Sequence, residues 1–70
     1  MERKRVNSSQ IRSVGYDASR QCLEIEFSNG SILEYSRVSP EVHRRLMAAP
    51  SIMSCYRDTI EEDFTWRRIR

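Results

Sequence analysis

Glycine, proline, cysteine and histidine are all scarce in this chain of 70 residues, with two, two, two and one copies. Each scarcity excludes something. Gly15 and Gly30 are too few for a glycine-rich phosphate loop. Cys22 and Cys55 are too few for a disulfide framework, and with His43 as the lone histidine they lack the spacing of a zinc site. They read as reduced thiols used in packing. No apolar run approaches the ~18 residues of a membrane span. The basic start "MERKR" is followed by polar residues, so no secretory leader is expected. The expectation is a cytoplasmic chain with no metal, cofactor or membrane partner.

What the chain has in abundance is charge. Charged residues are 31% and hydrophobic residues 39%, a globular balance. A single domain over residues 1–70 follows from the length, with a small core, because so short a chain buries only ~60% of its unfolded surface. The net charge of +2 is unevenly distributed. Arg3, Lys4 and Arg5 form a basic arm over residues 1–5, and Arg67, Arg68 and Arg70 a basic tail over 65–70. Between these ends, six arginines face nine carboxylates, so the body is mildly acidic.

Three segments carry strand periodicity. "IRSVGYD" puts Val14 and Tyr16 on one face, and "CLEIEF" does the same with Leu23, Ile25 and Phe27. The polar "ASRQ" between them suits a four-residue hairpin loop. "SNGS" admits two hairpins. A two-residue Asn29-Gly30 turn pairs Ile25 with Glu34 and puts a carboxylate on the apolar face. A three-residue loop with Gly30 left-handed and a bulge pairs Ile25 with Leu33 and Leu23 with Tyr35. Only the second aligns the apolar residues of all three strands. A one-residue slip inverts every side chain, so the bulged hairpin is expected. Tyr35 then belongs to the core. Ile32 is expected exposed, and Glu24, Glu26 and Glu34 form a solvated acidic face that repels phosphates.

Two helices follow. Ser39 is a good N-cap, Pro40 suits the first helical position, Val42, Leu46 and Ala49 share a face, and Pro50 ends the segment. A second helix starts near Ser51. Its apolar stripe is Ile52, Tyr56, Ile60 and Phe64, Arg57 can pair with Glu61, and it is expected to fade between Asp63 and Trp66. The fold class is α+β: a three-stranded antiparallel β-meander followed by two α-helices packed on one sheet face.

The order and spacing of "VNSSQIRSVGYD", "LEIEFSNGSILEYSRVSPEVHRRLMAAPS" and the Tyr56, Ile60, Phe64 run resemble the KTSC domain family, over roughly Val6 to Phe64. That family occurs as short stand-alone bacterial and phage proteins and at the C-terminus of some lysyl-tRNA synthetases. The second setting implies RNA or tRNA as the ligand. A Tyr-x-Tyr motif is usual at the family's centre. Here Leu33-Glu34-Tyr35 stands in its place, and a leucine replaces a packed aromatic more readily than a stacking one.

Candidate nucleophiles exist in Ser8, Ser9, Ser51 and Cys55, but nothing sets one beside a base and an orienting group. Ser8-Ser9 reads as a bend that satisfies backbone groups, and His43 as a surface residue. The expectation is a non-catalytic binding module. Its usable residues for RNA are Arg3, Lys4, Arg5, Arg44, Arg45, Trp66, Arg67, Arg68 and Arg70, a single basic patch if the two ends lie together. Against this, basic helix ends and tails are commonly just solvated, and Trp66 can close the core edge. The alternative is a protein-interaction or self-association module using open sheet edges.

Overall fold

A computed structural model describes residues 3–70. The element order is β1 (Arg3–Arg5), β2 (Ile11–Asp17), β3 (Cys22–Phe27), β4 (Ile32–Tyr35), α1 (Pro40–Ala48), α2 (Ile52–Thr59) and β5 (Trp66–Arg68). The strands form one antiparallel sheet in the order β1-β2-β3-β4-β5. The class is α+β, but the sheet has five strands rather than the three expected. Both basic ends, read as a solvated arm and tail, are its edge strands. Backbone satisfaction explains the difference: a bare meander leaves the outer amides and carbonyls of β2 and β4 unpaired, and the chain ends supply partners.

The central register follows the bulged hairpin. Leu23 pairs with Tyr35 and Ile25 with Leu33, while Val14 pairs with Ile25 and Tyr16 with Leu23. Gly30 has φ +95 and its N–H donates to Phe27 O, and Phe27 N–H donates to Ser31 O. A left-handed residue there is cheap only for glycine. The resulting inner face, with Leu46 of α1 and Tyr56 and Ile60 from α2 and its end, makes the core. Tyr35 is buried and its hydroxyl shares a hydrogen bond with that of Tyr56. Burial raises the pKa of both phenols.

Both helices start as the sequence indicates. Ser39 Oγ accepts from Val42 N–H, and Ser51 Oγ from Ser54 N–H. α2 ends at Thr59, earlier than expected. Glu61, Glu62 and Asp63 follow, and three carboxylates oppose the negative end of a helix dipole. Thr59 Oγ1 also bonds back to Cys55 O at 2.6 Å. Glu61 therefore lies beyond the helix, and the expected Arg57–Glu61 pair is absent from the ion pairs of the described residues. Phe64 still packs on the core, from the connection to β5 rather than from a helix. Among the described residues, no helix is long and apolar enough to cross a membrane.

The outer face also departs from expectation. Ile32 is only 3% exposed. The end of the chain covers it: Ile32 N–H donates to Arg70 O, and Ile69 N–H to Ile32 O. Arg70 also reaches Glu26, the cross-strand partner of Ile32, at 3.3 Å.

Candidate functional site

Eight of the nine cationic and aromatic residues expected to bind RNA fall into three groups, and Arg45 stands apart from them. Arg3 and Arg67 occupy the ends of one cross-sheet row, Arg3–Gly15–Glu24–Glu34–Arg67, on the outer face. Arg3 reaches Glu24 at 3.0 Å, two strands away, over Gly15, which has no side chain to block it. Arg67 meets Glu34 at 2.9 Å, and that carboxylate side chain is only 9% exposed. Arg70 and Arg12 converge on Glu26, at 3.3 and 3.8 Å. Glu26 also accepts from Ser13 Oγ at 2.7 Å, and this bond, with the arginines around it, holds its carboxyl below the usual range. The face expected to be acidic and solvated is thus charge-compensated. Its three glutamates are folded under Arg3, Arg67 and Arg70 from the basic ends and Arg12 from β2.

The second group sits at the β5 edge. Trp66 lies opposite Tyr35 and Arg68 opposite Leu33. Trp66 remains 52% exposed, so it does not close the core. Arg68 donates to Arg70 O at 3.2 Å and to Ser31 Oγ at 3.5 Å.

The third group is the one the fold gathers. Arg3 and Arg5 point outward, so strand alternation turns Lys4, opposite Val14, to the inner side. There it meets α1. Leu46 anchors α1 in the core, which turns His43, Arg44 and Met47 toward this flank. Lys4, Val14, Tyr16, His43, Arg44 and Met47 line a groove of ≈ 490 Å³. A second groove of ≈ 340 Å³ shares Lys4 and Met47 with it and adds Arg5, Asn7 and Ile52. Arg45 is apart, paired with Glu41 at 3.2 Å along the helix. The two chain ends do not merge into one patch. They flank opposite sides of the sheet, four strand spacings or about 19 Å apart.

His43 is the residue that sequence reasoning missed. It is not a free surface side chain: its ring stacks on Tyr16, with centroids 4.5 Å apart and planes 10° from parallel. Burial lowers its pKa, which favours the neutral imidazole. Tyr16 is fixed in turn by its hydroxyl, which donates to Val38 O. Val38 reaches that position through a left-handed Arg37, φ 60, at the turn from β4 to α1. Only the three-residue spacing of His43 and Leu46 hinted that His43 borders the buried side of the helix.

The serines have structural work. Ser8 Oγ accepts from the N–H groups of Gln10 and Ile11, and Ser51 caps α2. Cys55 lies 3.7 Å from Thr59 Oγ1. Among the described residues, no three His, Cys, Asp or Glu side chains gather as a metal site.

Comparison with known proteins agrees with this architecture. The sequence profile of the KTSC domain matches residues 7–64. An uncharacterised protein of Stutzerimonas stutzeri is 46% identical over 52 residues, 74% of this chain and 73% of that one. A protein of Tsukamurella paurometabola is 44% identical over 46 residues, 66% and 69% of the two chains. The crystal structure of the KTSC domain protein YPO2434 from Yersinia pestis superimposes with a TM-score of 0.93 at 34% identity, covering 99% of this chain and 97% of that one.

Proposed function

This chain belongs to the KTSC domain family, and from that premise we propose that it is a non-catalytic module that binds single-stranded RNA or tRNA on the flank formed by β1 and α1. One observation carries the reading: Lys4 and Arg44 face each other across one groove, Arg5 stands beside Lys4 on the outer side of the same strand, and none of the three has a carboxylate within 4.0 Å among the described residues. Cations already paired must break a contact to take a phosphate. These three need not, so they release counterions at full effect. The non-catalytic part rests on Ser8 and Ser51 being occupied as a turn partner and a helix cap, and on the one histidine being stacked on a tyrosine. Binding of this kind is sequence-tolerant and falls steeply with salt. Fluorescence anisotropy with a labelled single-stranded RNA at low salt tests it. Binding in the range of about 10⁻⁴ to 10⁻⁶ M supports the reading, and its absence there removes it.

A second reading, a protein-interaction module, draws on the β5 edge. That strand pairs on one side only and carries Trp66 and, just beyond it, Ile69, which is 48% exposed. Light scattering over a concentration series tests the self-associating form, and a constant monomer mass excludes it.

A further inference from the structure

Resting on the reading that the β1–α1 flank binds RNA, we infer that its larger groove takes one unstacked nucleotide, with the base over Val14 and Met47 beside the Tyr16–His43 pair and the phosphate on Lys4 and Arg44. The lining has two kinds of surface. Its floor is apolar and includes Val14, which belongs to the core. One wall is a pair of near-parallel aromatic rings, set by the Tyr16–Val38 hydrogen bond. Cations stand on two opposite elements, Lys4 on β1 and Arg44 on α1. A ligand matching both must be flat and apolar at one end and anionic at the other. Inorganic phosphate satisfies only the cations, and a flexible acyl chain does not use the aromatic wall.

Size and charge agree with this. The groove's ≈ 490 Å³ falls among small-ligand sites, which span roughly 300–1,000 Å³. The imidazole is favoured neutral by its burial, so the stacked pair adds no third cation to the groove. The smaller groove continues past Lys4 along β1 to Val6 and Asn7, where the strand of the RNA can run on. A base inside a duplex is stacked on both faces and paired along one edge, and cannot enter. The groove therefore selects single strands.

The test uses the whole chain, with adenosine 5′-monophosphate, adenosine and inorganic phosphate as probes in ¹⁵N NMR titrations, and single-stranded against duplex RNA in anisotropy. The monophosphate should shift His43, Met47 and Ala48 and bind about tenfold tighter than either fragment, the scale of one base–aromatic stack. His43→Ala removes half the wall. Ala48→Leu fills the groove mouth from an exposed position on α1 and leaves the core untouched. Each should lower single-strand affinity about tenfold and duplex affinity little. If the monophosphate behaves like inorganic phosphate and both variants keep wild-type RNA affinity, the nucleotide site is overturned while the RNA reading stands. If the monophosphate binds in the groove and RNA does not, the RNA reading falls and the site survives as one for free nucleotides.

Discussion

The chain's two ends are chemically alike, Arg3-Lys4-Arg5 and Trp66-Arg67-Arg68, and become the two edges of one sheet. Each uses one arginine to satisfy an outer-face glutamate, Arg3 on Glu24 and Arg67 on Glu34. They differ in what lies beneath. The inner side of β1 meets α1, so Lys4 lines a groove with Arg44 and an aromatic pair. The inner side of β5 carries Trp66, which stays 52% exposed, and the strand's continuation pairs with Ile32 while Arg70 crosses to Glu26. The same basic composition therefore builds a candidate site at one edge and a structural seal at the other. A charge run acquires a role from the surface it is folded against.

That comparison can be broken in four ways. The largest effect belongs to the sealing edge. Ile32→Ala should cost about 3 kcal/mol, as for other buried aliphatic truncations, and leave RNA affinity unchanged. Urea denaturation measures it, and a destabilisation near zero would mean that the end of the chain covers nothing of consequence. Next is the binding edge. The double variant Lys4→Gln, Arg44→Gln should weaken single-stranded RNA at least tenfold. It should also flatten the log K against log salt slope by about 1.4, at ~0.7 for each phosphate no longer neutralised. Stability should move by less than about 0.5 kcal/mol, since both are surface substitutions. An unchanged salt slope would place the phosphates elsewhere.

Smaller still is Arg67→Gln. It strips the partner from a buried glutamate, but Arg67 itself is 73% exposed, so screening limits the cost to about 1 kcal/mol. RNA affinity should change less than twofold if β5 is a seal, since its arginine then holds a carboxylate and no phosphate. A drop matching the Lys4 and Arg44 variants would erase the distinction between the edges. The smallest effect is from pH. Burial lowers the folded pKa of His43, so protons favour the unfolded chain. The contribution is complete above the unfolded value of about 6.5 and is lost as pH falls below it. Thermal melts of wild type against His43→Ala should converge on acidification, and parallel curves would show that the stacked imidazole is as exposed as its helix position suggests.

Much of the centre was legible. Alternation in "SVGYD" and "CLEIEF", with Gly30 at the bulge, is enough to fix the central pairs, whereas a second bulge between Ile11 and Ser13 turns Ile11 into the core against that alternation. Ser39 and Ser51 mark both helix starts. The edges were not legible for a physical reason: three residues do not make a period, and "RKR" contains no apolar residue to alternate. Reading these ends as free tails left the Glu24, Glu26 and Glu34 face without its cations. The same error hid the burial of Ile32. The end of α2 is legible after all, in the three carboxylates at the wrong pole of the helix.

The sequence alone determined the centre of the core, the Val14–Ile25–Leu33 and Leu23–Tyr35 pairs. Apolar residues recurring every second position have only one register in which they all leave water together, and a slip would expose every one of them. Only the tertiary structure decided the candidate site. Lys4, Tyr16 and His43 lie on three separate elements, and nothing local to any of them requires the others. They meet because an edge strand completes the hydrogen bonds of β2 and a buried leucine fixes the turn of α1. Such long-range constraints leave no periodic trace in the residues they bring together.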